Sequence, residues 1–254
     1  MRIENLKMRM KNQEPLLGTF IRTPSIEIVE ILAETGLDFA CLDAEHFAFD
    51  RSRLDACLAV GRALDFPLLV RTSNSSHSEI LKVLDGGATG IVVPHVDTVI
   101  KAKEIVKGAH YGAGGRGYAG GTRSAGRTSK PMFDVIEKAK KRTIVIAQIE
   151  EKSGVDSIED IAAVNGLDAV FLGPSDLSLS YGETNLDSQF LIDAMIKVGA
   201  AATKNKINYI TFITDLAKIK EWKKYGFTTY LLGSEHAWIM KSALEAVESF
   251  QRIE

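Results

Sequence analysis

Cysteine is scarce. Only Cys41 and Cys57 occur in 254 residues, both in apolar surroundings and without metal-site spacing. A disulfide scaffold is thereby excluded, and a reducing compartment is the simplest setting. Long apolar runs are missing too, so nothing approaches the roughly 20 residues of a membrane span. The opening MRIENLKMRMKNQ lacks the apolar core of a signal peptide. The expectation is a cytoplasmic protein with no membrane partner. No lysine- and arginine-rich block stands out and the formal net charge is -2, so nucleic acid is not an expected partner. No G-x-S-x-G elbow offers a serine nucleophile.

What is present is repetition. Eight short apolar runs alternate with amphipathic segments: LLGTFI (Leu16–Ile21), FACLDAE (Phe39–Glu45), PLLVRT (Pro67–Thr72), GIVVP (Gly90–Pro94), TIVIAQIE (Thr143–Glu150), AVFLGP (Ala169–Pro174), NYITFI (Asn208–Ile213) and TYLLG (Thr229–Gly233). Near-continuous apolar character belongs to strands covered on both faces. The segments between them, such as SIEIVEILAETG, carry one buried helical face. Eight such units without a linker-like stretch predict one (β/α)8 TIM barrel over residues 1–254. A doubly wound sheet is the alternative. Leu6 and Met10 share a face of a first helix expected to cover the barrel bottom.

One long interruption, residues 108–132, is rich in glycine. Its G-x-G-x-x-G matches follow a helical segment rather than a strand, against a dinucleotide site. The loop reads as a lid or a solvated surface loop. As a lid, it would bring Arg116, Arg123 and Arg127 to an anionic substrate.

Polar residues gather at the C-terminal ends of the strands, where barrels of this kind place their chemistry. The second strand ends in Asp43, Glu45 and His46, the third in Arg71, the fourth in His95, the fifth in Gln148 and Glu150. The sixth ends in Gly173, Ser175 and Asp176. Burying such charges costs several kcal/mol unless they are paired. Glu150 and Asp176 end adjacent strands about 5 Å apart, where two carboxylates repel unless a proton or cation intervenes. An oxygen-ligated Mg²⁺ or Mn²⁺ fits; so does Glu150 as a helix cap or a partner of Arg71. His46, three residues after Asp43, has the setting of a carboxylate-oriented general base. His95 is left open between structure and chemistry; His77, His110 and His236 are assigned none. No strand carries the lysine that imine chemistry requires.

The motifs LDAEHFAFD, VRT, LDGGATGIVVPHVDT, QIEEKSGVDSIEDIAAVNGLDAVFLGPSDLSLSYG and LLGSE resemble those of the HpcH/HpaI aldolase family, over nearly the whole chain. The resemblance implies a (β/α)8 barrel that cleaves a 4-hydroxy-2-oxo acid to pyruvate and an aldehyde. It implies that Glu150 and Asp176 hold a divalent metal and that Arg71 binds the keto oxygen. Gly173 and Ser175 would hold the carboxylate, with Gln148 beside the metal and the keto acid. His46 and Asp43 would form the acid/base dyad. The segment GGRGYAGGTRSAGR departs from the family's Arg/Ala-rich one, which leaves the aldehyde open. A condensing enzyme of the phosphoenolpyruvate or citrate-forming type and a non-catalytic metabolite-binding barrel are the competing readings.

Asp85 reads from sequence as a turn residue closing a helix before Gly86 and Gly87. An acid there meets the negative end of the helix dipole, at about 0.3–1 kcal/mol, and invites a nearby cation. In the resembling family the matching aspartate reaches a neighbour's active site, in hexamers built as trimers of dimers. The last helix, SEHAWIMKSALEAVESF, holds enough large apolar residues to cover its own barrel and a partner.

Overall fold

Eight parallel strands close into a barrel in chain order, and the eighth pairs back onto the first. The computed structural model describes residues 1–253. In order, the elements are α1 (Arg2–Lys11), β1 (Leu16–Ile21), α2 (Ile26–Ala33), β2 (Phe39–Asp43), α3 (Arg51–Ala63), β3 (Leu68–Arg71) and α4 (His77–Gly86). Then come β4 (Gly90–Val93), α5 (Val99–Ala109), α6 (Met132–Arg142), β5 (Ile144–Ile149), α7 (Lys152–Asp156), α8 (Ile158–Ala162) and β6 (Ala169–Leu172). The last are α9 (Pro174–Ser180), α10 (Gln189–Asn205), β7 (Asn208–Ile213), α11 (Ala217–Trp222), β8 (Thr229–Ser234) and α12 (Glu235–Gln251). Closure rules out the doubly wound alternative.

The apolar strands serve two cores. Phe20, Phe39, Leu69, Ile146 and Phe171 point inward and fill the barrel. Alternate residues such as Leu42, Val70, Ile91 and Val170 point outward and meet the helices. Each fully buried chain of this size stabilises by about 1.5–3 kcal/mol. Helices α2, α3, α4, α5 and α10 begin at Ser25, Asp50, Ser76, Thr98 and Ser188, whose side chains accept first-turn N–H groups. Gly18 of β1 lies against the Phe39 ring, where a Cβ would sit 2.6 Å from a ring carbon. Gly87 stops α4 with φ 103°.

Helix α1 closes the barrel bottom as expected: Leu6 and Met10 are each 1% exposed. Lys7, from the same helix, donates to the Thr143 carbonyl at 2.6 Å and to Asp168 at 2.9 Å. The polar strand ends therefore open only at the top.

Two expectations need correction. The glycine-rich loop starts after Ala109, because α5 runs two residues further than its glycine suggests. The loop is docked on α3 and α4 by its arginines: Arg116 pairs with Asp85 and stacks on Tyr111, and Arg123 pairs with Asp55. Helix α12 covers little of its own barrel. Among its described residues only Glu235 is buried, and Ile239, Met240, Leu244, Val247 and Phe250 are 53–63% exposed. Among the described residues no helix is long and apolar enough to cross a membrane.

Candidate active site

The register of β2 and β3 sets Asp43 directly beside Arg71. Asp43 is fully buried and accepts two bonds from the guanidinium, from Nε at 3.0 Å and from an Nη at 2.6 Å. Charge-assisted, bidentate pairs of this kind are the strong ones. Arg71 also lies 3.3 Å from Glu45 Oε2, and its guanidinium sits 4.8 Å from the Phe20 ring centroid. Burial opposes the charge of Arg71, yet the hydrogen bonds and attraction of Asp43 hold its pKa above the ordinary value. Burial pushes the Glu45 carboxyl upward, and Arg71 restrains that rise.

The expected dyad is therefore not formed in this arrangement. Asp43 accepts the backbone N–H of His46 at 3.3 Å, while both its oxygens face Arg71. Asp43 lies on the inward face of β2 with Phe39 and Cys41, where the register sets it beside Arg71, and the chain has turned away by His46. The exposed imidazole has Nε2 3.8 Å from Glu45 Oε2 instead.

Across the mouth, Gln148 and Glu150 share a face of β5 as their spacing predicts. Gln148 donates through Nε2 to Glu150 Oε2. His95 follows β4 with a left-handed backbone, φ 56°, uncommon for a non-glycine residue and frequent where function fixes geometry. That twist points its N–H at Glu150 Oε1, 2.7 Å away. Its Nδ1 lies 2.9 Å from Glu151 and 3.2 Å from Glu150, and its Nε2 lies 3.6 Å from Glu45. One ligating atom each from Glu45, His95 and Glu150 fall within 4.8 Å of one another. Burial pushes the Glu150 carboxyl up; the His95 N–H and ring oppose this, and the charges of Glu45 and Asp176 add to it.

Beyond β6, Gly173 and Pro174 start α9, whose first turn has no side-chain cap. A Cβ on Gly173 would touch Gln148 and Glu150 at 3.4 Å. Ser175 and Asp176 are exposed and line a cavity of about 200 Å³ with His46, Arg71 and Gln148. Asp176 stands outside the three-residue cluster but close enough to act on the charge of Glu150. Phe20, Phe171 and Phe212 supply the apolar wall, and Arg22 completes the rim.

Asp85 is not brought to this cavity. It lies in a larger hollow of about 430 Å³ outside the barrel, between α3, α4 and the glycine-rich loop. The cation its position invites is Arg116, 2.6 Å away. That hollow is the roomier one, but the convergence of buried polar groups is at the barrel mouth. Sequence reasoning missed Glu45 and His95 as possible ligands. The adjacency argument that joined Glu150 to Asp176 applies equally to the neighbour on its other side, where β4 ends in His95.

A Mg²⁺ or Mn²⁺ ion fits these residues. Glu45 Oε2 and Gln148 Oε1 are buried without a hydrogen bond. Two carboxylates crowd one point with a third at the rim, and the donors are mainly oxygen.

Residues 16–241 match the model of the HpcH/HpaI aldolase/citrate lyase family. A hydroxypyruvate/pyruvate aldolase of Paraburkholderia phytofirmans is 30% identical over 251 residues, covering 96% of each chain. The crystal structure of an HpcH/HpaI aldolase/citrate lyase family protein from Burkholderia cenocepacia superposes with a TM-score of 0.92. It is 28% identical and covers 98% of this chain and 99% of that one. The citrate synthase SbnG superposes at 0.86 with 29% identity, over 98% and 99% of the two chains.

Proposed function

The chain belongs to the HpcH/HpaI aldolase/citrate lyase family, and from that premise we propose that it is a divalent-metal-dependent aldolase. It cleaves a 4-hydroxy-2-oxo acid to pyruvate and an aldehyde. The observation that carries this reading is the convergence, at one barrel mouth, of the Asp43–Arg71 pair with Glu45, His95 and Glu150. Glu150 and Asp176 hold the ion, with Glu45 and His95 facing the same point. When bound, Mg²⁺ or Mn²⁺ supplies Lewis-acid stabilisation of the negative charge that grows on the keto oxygen.

The remaining work falls to side chains and main chain. Arg71 donates to the keto oxygen and stabilises the enolate as it forms. Asp43 positions Arg71. The Gly173 N–H is taken by the Ile149 carbonyl at 3.1 Å, so the free first-turn amides of α9 at Ser175 and Asp176 hold the substrate carboxylate, and Gly173 keeps the approach to them clear of a side chain. Gln148 orients Glu150 and the keto acid. His46 takes the proton from the aldol hydroxyl while the adjacent carbon–carbon bond breaks. The bonding pair passes into the enolate of pyruvate, and the carbonyl of the aldehyde forms. A proton from solvent adds to the enolate carbon and completes pyruvate, and His46 returns the proton it took to solvent.

We also propose that the protein is a homo-oligomer, a hexamer arranged as a trimer of dimers. The exposed apolar face of α12 and the position of Asp85 outside its own barrel support this. The likeness to a citrate synthase supports a second reading, in which the enolate condenses with another keto acid. The two readings part on products. Chelated protein given a panel of 4-hydroxy-2-oxo acids should release pyruvate only after Mg²⁺ or Mn²⁺ is restored. A protein that releases none from any member, yet condenses two keto acids, belongs to the second reading.

A further inference from the structure

Arg22, the residue after β1, lines the cavity beside His46 and Arg71. Its surroundings differ from those of Arg71 in one respect. Arg71 is neutralised by Asp43. Among the described residues, no carboxylate oxygen lies within 4.0 Å of the Arg22 guanidinium, and its Nε is buried without a hydrogen bond. Glu235, which meets Arg22 at its main chain, is committed there. Its carboxylate accepts the main-chain N–H groups of Arg22 at 2.9 Å and Thr23 at 2.6 Å. Those bonds fix the backbone and leave the side chain to its own contact, the Phe47 ring, with the guanidinium 5.2 Å from the centroid.

A partly buried cation stacked on an aromatic ring and lacking a counter-ion is built to meet an anion. The donor's anionic groups already have places at Arg71 and the start of α9. Arg22 lines the same cavity as His46, the residue assigned to the aldol hydroxyl, and stacks on the next residue, Phe47, which places it with the acceptor. The loop arginines Arg116 and Arg123 are occupied by Asp85 and Asp55.

We infer that Arg22 is the specificity-determining anchor for the aldehyde, and that it selects aldehydes carrying a carboxylate. The inference rests on the aldolase reading above. A carboxylate bound bidentately by a guanidinium gives recognition of about 10- to 100-fold.

The test compares kcat/KM for addition of pyruvate to charged aldehydes, glyoxylate and succinic semialdehyde, with neutral ones, glycolaldehyde and butanal. The natural protein should prefer a charged member. In Arg22→Gln the charged-to-neutral ratio should fall at least about tenfold, and Arg22→Lys, which keeps the charge, should restore part of it. A ratio unmoved in Arg22→Gln overturns the inference. A ratio that falls equally in both variants shows a packing role and overturns it as well. Exchange of pyruvate methyl protons in D₂O with Mn²⁺ reads the donor half separately. Exchange with an unmoved ratio refutes Arg22 alone; no exchange in the natural protein removes the aldolase reading and this inference with it.

Discussion

Asp43 faces Arg71, and Asp43→Asn tests what it is for. The substitution keeps the shape and removes the charge from a pair held at 3.0 and 2.6 Å with Asp43 fully buried. Removing one partner of a buried pair costs about 3–5 kcal/mol, because the other charge is left uncompensated. Here Glu45, 3.3 Å from Arg71 Nε, takes up part of the charge. The expectation therefore lies at the low end, about 3 kcal/mol, and with an m-value near 3 kcal/mol/M it is a fall of about 1 M in the urea midpoint. A double-mutant cycle with Arg71→Met sharpens the test. If the pair acts as a unit, the double variant should be no less stable than Asp43→Asn alone. Kinetically, Asp43→Asn should track Arg71→Ala, losing both aldol cleavage and oxaloacetate decarboxylation. An Asp43→Asn protein that loses cleavage but keeps decarboxylation would show that Asp43 serves His46, and the positioning argument would be wrong.

Other outcomes follow from the same geometry. His46→Ala should lose about 10²-fold or more in aldol cleavage while keeping oxaloacetate decarboxylation, which has no hydroxyl proton to remove; equal losses by both assays would misplace the base. His110 is half-buried, and its partial burial first, then Lys7 and Arg116, hold its pKa below the ordinary 6.5. Its neutral form is favoured by folding, so this contribution is complete above pH 6.5 and is lost as pH falls below it. His110→Gln should therefore flatten the decline in denaturation midpoint from pH 6.5 downward, and an unchanged decline would count against it. Asp85→Ala and His46→Ala proteins, each nearly inactive, should regain part of their activity when mixed and reassembled; no recovery despite demonstrated subunit exchange would return Asp85 to its pairing with Arg116. Light scattering that shows an active monomer would remove the oligomer altogether.

The barrel was legible because burial on both faces leaves a continuous apolar signature, and eight such runs are hard to arrange otherwise. The gathering of Asp43, Arg71, Gln148, Glu150 and Ser175 at one mouth was legible for the same reason. Every strand points its C-terminal end the same way. Pairing between side chains was not. Asp43 and His46 are three apart in sequence, yet Arg71 is 28 residues away and directly alongside in the sheet. His95 enters through a left-handed backbone that no periodicity announces. Arg22 carries no signal in the sequence, because its lack of a counter-ion exists only in three dimensions. Helix α12 carried the apolar pattern of a packed helix, and the structure leaves that face outside its own barrel.

The central claim is that one divalent ion, held in this barrel mouth with Glu150 as a ligand, accompanies pyruvate formation. Titration of chelated protein with Mn²⁺, followed by electron paramagnetic resonance of the free ion, measures that site without turnover. The account predicts one site per chain, a large loss of affinity in Glu150→Gln, a smaller one in Asp176→Asn, and pyruvate release that rises in step with occupancy. Binding that is unchanged in Glu150→Gln, or full pyruvate release from protein with no bound ion, would contradict it.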